Sequence, residues 1–315
     1  MYGNRQTKSL SGGKFFSIIV ESLKGISQVI FIENAITGLL LLIAITISSY
    51  YIGIISLLSA IIGTLVKKIG GTDDNSIGKG LLGYNSVLTG MALALFLSGP
   101  YMWMIALVGS AVAAIFTAAM MHIMKRTGIP ILTFPFIILT WFILLASYKL
   151  TEIRLNTKLL PHNLTDWKLN IAGEIELIDG IFNGFGQVFF LDNTLSEIII
   201  VIAVFWAGKR LGVYALIGNV VAISIAYLLG GEHSLIALGT YGYNAILTII
   251  AVSVVFKTEH NRFAFFSGII AACLTVPITA GLGTFLLPYG LPVLTFPFVL
   301  CSWLVLSARK VTPNL

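Results

Sequence analysis

Apolar runs separated by short polar breaks dominate this chain. Met1 to Lys14 is a polar, basic arm, and Phe15 to Asn34 mixes apolar positions with Glu21 and Lys24, which predicts an interfacial or re-entrant segment. Ala35 to Val66 is one long, predominantly apolar run. As one helix it would measure about 48 Å at the usual rise per residue, well beyond a hydrocarbon core of about 30 Å. A break is therefore expected inside it. Further apolar segments cover 80–98, 100–124 and 129–147, and a polar stretch, 148–180, follows. The second half reads as segments at 187–207, 212–230, 235–256, 263–287 and 291–308. The pattern predicts ten crossings, five in each half.

The halves repeat one another. Gly128-Ile129-Pro130-Ile131-Leu132-Thr133-Phe134-Pro135-Phe136 returns as Gly290-Leu291-Pro292-Val293-Leu294-Thr295-Phe296-Pro297-Phe298, with a tryptophan five residues on in each copy, Trp141 or Trp303. At a slightly shorter offset, Gln28 to Asn34 aligns with Gln187 to Asn193, and Gly83 to Thr89 with Gly242 to Thr248. Such self-similarity marks an internal duplication. The same offset matches Tyr50 and Tyr51 to the charged pair Lys209 and Arg210, which places the expected turn near Ser48 to Tyr51. An odd number of crossings per half requires the two copies to be inverted in the membrane.

Composition narrows the class. The chain is 57% hydrophobic and 10% charged, with a mean hydropathy of +0.96, against roughly a quarter charged residues in soluble domains. The expected fold is an all-α polytopic membrane protein of two inverted repeats, with a re-entrant segment and a pore or binding site at the repeat interface. The domain reading is an arm at 1–14, a first repeat at 15–147, an extracytoplasmic linker at 148–180, a second repeat at 181–310 and a tail at 311–315. The net charge of +6 does not point to nucleic acid, because the basic residues are sorted by side. With a cytoplasmic N-terminus, Arg5, Lys8, Lys14, Lys24, Lys67, Lys68, Lys79, Lys125, Arg126, Lys209, Arg210, Lys257, Arg262, Arg309 and Lys310 fall inside. Lys149, Arg154, Lys158 and Lys168 share one outer loop. This is a positive-inside distribution, and it puts both termini in the cytoplasm. Cys273 and Cys301, the two cysteines, offer neither a disulfide framework nor metal-ligand spacing. Nothing at the N-terminus reads as a cleaved leader.

The repeated stretch carries the chemistry. Pro135 in a helical context would leave the Ile131 carbonyl without its usual donor, and Pro297 would do the same for Val293. Pro130 and Pro292 suit a first helical position. Thr133 and Thr295 add hydroxyls that donate and accept. Open backbone in an apolar surround is tolerated only inside protein or beside a polar cavity; a proline-kinked membrane helix is the plainer alternative. An inverted duplication brings equivalent residues together, so the candidate lining is Gln28 with Gln187, Val29 with Val188, Phe31 with Phe190, Tyr84 with Tyr243, Leu88 with Leu247, Ile131 with Val293 and Thr133 with Thr295. These are amides, hydroxyls, carbonyls, flat rings and leucines, suited to a small polar neutral solute. Stripping an amide of water costs about 4–8 kcal/mol in a hydrocarbon-like medium, so replacement hydrogen bonds are needed along the path. Each pair also has a packing reading: the glutamines as interhelical ties, the rings and leucines as core, Asn85 and Asn244 as helix-to-helix ties. Glu33 and Asp192 read either as a proton relay or as helix starts beside Asn34 and Asn193.

These residues resemble the urea transporter family. The Leu-Pro-x-Leu-Thr-x-Pro-Phe signature stands complete at Leu291 to Phe298, and the first copy departs only at Ile129; the resemblance spans roughly residues 15–310. It implies a homotrimer, each protomer with its own central pore between inverted halves and half-spanning helices aimed at the solute, and passive channel-like movement of urea through a filter lined by ladders of oxygen atoms; the compact chain is expected in an inner membrane. Carried over, Thr133 and Thr295 would supply central hydroxyls, Gln28 and Gln187 would bind the amide at two outer sites, Phe31 and Phe190 would stack on it, and Leu88 and Leu247 would form the waist. Tyr84 and Tyr243 stand where the family has an aromatic. Many relatives have a Glu at one of the two Gln positions; this chain has Gln at both. No metal or cofactor is expected, nor an enzyme, since the chain shows no Ser/His/Asp set, His-x-x-x-His pair or phosphate loop. The alternative is a gradient-coupled secondary transporter of a small amide or ion using Glu33 and Asp192.

Overall fold

A computed structural model describes residues 7–71, 83–159, 161–165, 169, 171 and 176–315. The chain is an all-α polytopic membrane protein. Its first half runs through α1 (Thr7–Ser27), α2 (Ala35–Ser48), α3 (Tyr50–Ile69), α4 (Gly83–Phe96), α5 (Met102–Met124) and α6 (Phe134–Ala146). The second half adds α7 (Leu177–Gly186), α8 (Thr194–Ala207), α9 (Lys209–Leu228), the short α10 (His233–Ala237), α11 (Gly242–Ile250, prolonged by a π-helical turn Ala251–Val255), α12 (Ala264–Leu286) and α13 (Phe296–Ala308). The duplication is visible in the element boundaries. Shifting α2, α3 or α5 by its offset lands on the start and end of α8, α9 or α12, and shifting α6 lands on α13.

Four helices, α3, α5, α9 and α12, are long and apolar enough to cross a membrane. The pairs α1/α2 and α7/α8 qualify only together, bent by 76° and 80°. The bend has a local cause. Phe31 and Phe190 adopt left-handed backbones, with φ of 62° and 58°. The amides of Phe31 and Ile32 close on the Gln28 and Ser27 carbonyls, and those of Phe190 and Leu191 on Gln187 and Gly186, the reverse turn that ordinarily places glycine after a helix. Asn34 then restarts the chain as α2, its side chain accepting from the Ile36 and Thr37 amides at 2.8 and 3.2 Å. Asn193 does the same for α8 through the Ser196 amide, at 3.1 Å.

The helices α4, α6 and α13, of 13 or 14 residues, reach only about 20 Å, well short of a bilayer core. They pack at the centre, where Phe136 and Phe298 are fully buried. The expected break near Ser48 to Tyr51 occurs at Ser49, whose extended backbone separates α2 from α3 and whose hydroxyl caps α3 at the Ile52 amide.

Several expected boundaries move. Segment 187–207 is broken at Phe190, as its first-half counterpart is at Phe31. α7 begins inside the stretch expected to be linker, and α1 begins at Thr7 within the expected arm. The segment expected at 235–256 divides into α10 and α11, parted by Gly239 in a left-handed conformation. The linker itself is tied down: β1 (Leu97–Ser98) pairs antiparallel with β2 (Arg154–Leu155), and the His162 amide donates to the Leu287 carbonyl at 3.2 Å.

Candidate functional site

The two proline-rich stretches form the centre, but not as kinked helices. Helices α6 and α13 start at Phe134 and Phe296, so Pro135 and Pro297 lie in a first turn, where a missing N–H breaks no helical bond. The expectation that Pro135 strips the Ile131 carbonyl is therefore corrected: that oxygen accepts from the Phe134 amide at 3.3 Å. Pro130 and Pro292 precede the helices rather than begin them. What opens the backbone instead is a left-handed residue just before each threonine, Leu132 (φ 52°) and Leu294 (φ 54°). Such a conformation costs a non-glycine residue about 1–2 kcal/mol, and its surroundings must hold it there.

The holding groups are on the neighbouring short helix of the same half. The Tyr84 hydroxyl donates to the Leu132 carbonyl at 2.6 Å, joined by Asn85 Nδ2 at 3.3 Å. Tyr243 and Asn244 make the same pair of bonds to the Leu294 carbonyl, at 2.5 and 3.3 Å. Both tyrosines and both asparagines thus bond the loop of their own half, the asparagines as ties between a helix and that loop.

Between halves, the tryptophan and phenylalanine contacts at this centre occur twice with the roles exchanged. Trp141 Nε1 donates to the Pro292 carbonyl at 2.8 Å, and Trp303 Nε1 to the Pro130 carbonyl at 2.7 Å. Phe134 packs on Trp303 and Phe296 on Trp141, with ring centroids 5.2 Å apart in each case. Phe31 lies edge-on to Phe298, and Phe190 to Phe136. At the middle of this exchange Thr133 Oγ1 and Thr295 Oγ1 are 2.6 Å apart, both side chains buried. One hydroxyl serves as donor to the other, so the pair retains a free O–H and several lone pairs.

A cavity of about 310 Å³ opens on one side of the first stretch, walled by Phe31, Tyr84, Ile129 to Leu132, Lys125 and Phe256. A larger one of about 540 Å³ reaches Val293, Leu287, Thr279 and Tyr241 near the second. Of the expected lining, Phe31, Tyr84 and Ile131 face the first cavity, Val293 faces the second, and Thr133 and Thr295 sit at the contact. Gln28, Val29, Leu88, Val188 and Leu247 are buried, and Gln187, Phe190 and Tyr243 are half-buried; these eight line neither of the two cavities. Glu33 is exposed and lies 3.7 Å from Lys24, and Asp192 is exposed. Neither borders either cavity.

Three features escaped the pairwise comparison of the halves. Phe96 packs edge-on to Phe190 and Phe256 to Phe31, at 5.7 and 6.0 Å, yet the offset that pairs Gly83 with Gly242 pairs Phe96 with Val255. The left-handed Leu132 and Leu294 carry no local signal, since leucine does not advertise that conformation. Glu197, 2% exposed on α8 with Oε1 lacking a hydrogen-bond partner, stands opposite Gly38 at the equivalent position. Gly38 is required there: a Cβ would come within 1.9 Å of the Leu23 carbonyl oxygen. A search for polar residues that match across the halves passes over such a position.

A polytopic bundle of duplicated, partly half-length helices, with hydrogen-bonding groups gathered at the contact between copies, defines a membrane transport fold. The sequence model described as "UT: Urea transporter" matches residues 19–310, and the chain belongs to the urea transporter family. It is 26% identical over 301 residues to urea transporter 1 of Ovis aries, covering 93% of this chain and 77% of that protein. It is likewise 26% identical to urea transporter 1 of Rattus norvegicus, over 308 residues with the same coverage of each chain.

Proposed function

We propose that the chain conducts urea passively across the membrane, along a path beside the Thr133–Thr295 contact between two inverted copies of one module. The buried 2.6 Å hydroxyl pair, at the centre of contacts that exchange roles, carries this reading. An inverted pair would set that contact at mid-membrane. There the hydroxyls and the carbonyls of the two loops replace water around an amide that loses its hydration. Gln28 and Gln187 would serve the outer positions, and Phe31, Phe190, Leu88 and Leu247 would narrow the slot. Both termini lie in the cytoplasm in this reading, the membrane is an inner membrane, and the assembly is a homotrimer, as the family resemblance implies.

Liposomes test it. Wild-type protein is expected to pass urea at a rate unchanged when a protonophore collapses the pH gradient. Flux in the Thr133→Val/Thr295→Val protein is expected to fall by about tenfold, since one hydrogen bond lost in a dry path is worth about 1–1.5 kcal/mol. Wild-type flux from that folded double variant would remove the pair from the path.

One observation favours a second, gradient-coupled reading: the buried carboxyl of Glu197, whose Oε1 has no hydrogen-bond partner, since intramembrane acids are functional by default. Urea flux that stops with the protonophore, and that Glu197→Gln makes indifferent to it, would select this mechanism.

A further inference from the structure

Phe256 borders the smaller cavity together with Phe31, and the two rings meet edge to face at 6.0 Å. Its place there depends on an irregularity. Helices α4 and α11 begin at equivalent glycines, and Phe96 ends α4. The residue that should end the second copy in Phe96's manner is Val255, which is instead exposed. The π turn Ala251–Val255, closed by the Phe256 amide on the Ala251 carbonyl at 2.9 Å, takes up one extra residue and brings Phe256 round to the position that Phe96 fills. Phe96 meets Phe190 as Phe256 meets Phe31. A π turn inside a helix commonly marks a functional position.

The turn is clamped. Arg309 donates through its guanidinium to the Val252 carbonyl at 2.9 Å, the Phe256 carbonyl at 3.2 Å, Ser267 Oγ at 3.3 Å and the Leu315 carbonyl at 2.8 Å. Asn261 Nδ2 holds the Pro313 carbonyl and the Phe263 amide donates to the Asn314 carbonyl, at 2.7 and 2.8 Å. The tail 309–315 is thereby fastened to the loop that follows Phe256. In the first half the stretch after α6 plays the matching part: just past β2, the Asn156 amide donates to the Phe96 carbonyl at 2.8 Å, and its side chain to the Leu95 carbonyl at 3.1 Å.

We infer that Phe256 is a specificity-determining wall of the solute path, and that Arg309 is the positioning residue that keeps its ring against Phe31. The inference rests on the pore reading above. Phe31 has a left-handed backbone and no glycine-like freedom, so its ring direction is set by what it packs against. Phe256 and Phe298 are its two aromatic neighbours among the described residues. Removing the Phe256 ring widens the cavity on one side without touching the Thr133–Thr295 contact.

The experiment compares urea with N-methylurea in proteoliposomes. Phe256→Ala is expected to raise the N-methylurea-to-urea permeability ratio by about tenfold, the scale on which an apolar pocket discriminates one methyl group. Phe256→Tyr keeps the ring and is expected to keep the wild-type ratio. Exchanging the two residues, Val255→Phe with Phe256→Val, preserves composition and is expected to behave like Phe256→Ala. Arg309→Met is expected to raise the ratio in the same direction, and Arg309→Lys to raise it less. Should Phe256→Ala fail to fold, Phe256→Leu reads the same ratio. An unchanged ratio in a monodisperse Phe256→Ala or Phe256→Leu protein overturns the assignment while wild-type urea flux leaves the pore reading standing. Absence of wild-type urea flux overturns both.

Discussion

Glycines 128 and 290 occupy the same place in the two copies and share a left-handed backbone, with φ of 62° and 58°, yet their surroundings differ. A Cβ on Gly290 would come within 2.5 Å of the Leu159 carbonyl oxygen, where the linker crosses the second loop; on Gly128 the nearest atom is Lys310 Nζ at 3.5 Å. Both alanine variants bear a left-handed penalty of about 1–2 kcal/mol, but Gly290→Ala must also displace backbone. Thermal unfolding in detergent is expected to rank Gly290→Ala clearly below Gly128→Ala; equal melting temperatures would show that the linker yields. The tyrosines permit a finer test. Tyr84→Phe removes one donor from the Leu132 carbonyl and leaves Asn85 on it, so the stability loss is expected near 1 kcal/mol. Tyr243→Phe should match it, because Asn244 backs the Leu294 carbonyl in the same geometry. Calorimetry of the two single variants checks that equality. The threonine pair that meets between the halves was legible in the sequence because a duplicated polar residue in an apolar chain is conspicuous. The backbone reversals at Leu132 and Leu294 were not, because nothing local demands them: Tyr84, Asn85 and their counterparts impose them from another helix.

Element by element, the bent pairs show how a sharp break inside an apolar run is encoded. Each needs a chain reversal at a phenylalanine and an asparagine that restarts the helix. Asn34→Ala removes the acceptor for two amides, and Asn193→Ala that for one. Each is expected to lower stability by about 1 kcal/mol, with Asn34→Ala the larger, measured by urea-free thermal melting with helix content as the probe. Hydrophobic runs told where these helices lie but blurred their ends. An apolar run cannot reveal that α6 waits until Phe134 to begin, since Ile129 to Thr133 is as apolar as the helix after it. Nor does it show the π turn in α11, whose extra residue becomes visible only when Phe96 and Phe256 are seen against equivalent rings.

For the molecule as a whole, the sorting of lysines and arginines makes the strongest topological prediction. After Cys273 and Cys301 are replaced by serine, a single cysteine at Thr312 is expected to react with an impermeant maleimide only from the cytoplasmic side, and one at Lys149 only from outside. Labelling of both from one side would contradict an odd number of crossings per half. The linker between the halves does more than connect them. Tyr148 Oη donates to the Tyr289 carbonyl at 2.9 Å, and the β1–β2 pairing fixes the stretch after α6 to the end of α4.

What the sequence determined unaided was the membrane class, the duplication, the family and the list of polar pairs, because all of these reside in composition and in self-similarity along one dimension. Tertiary structure decided which of those pairs meet. Thr133 finds Thr295, and each tryptophan crosses to the other copy's proline carbonyl, while Gln28, Leu88 and their counterparts are packed away from the two cavities. It also decided the asymmetry between the two copies: a glutamate facing where its twin has glycine, an arginine clamp on one side and an asparagine on the other. Contacts between residues far apart in the chain depend on how two modules are juxtaposed, and offsets along a single chain do not encode that distance.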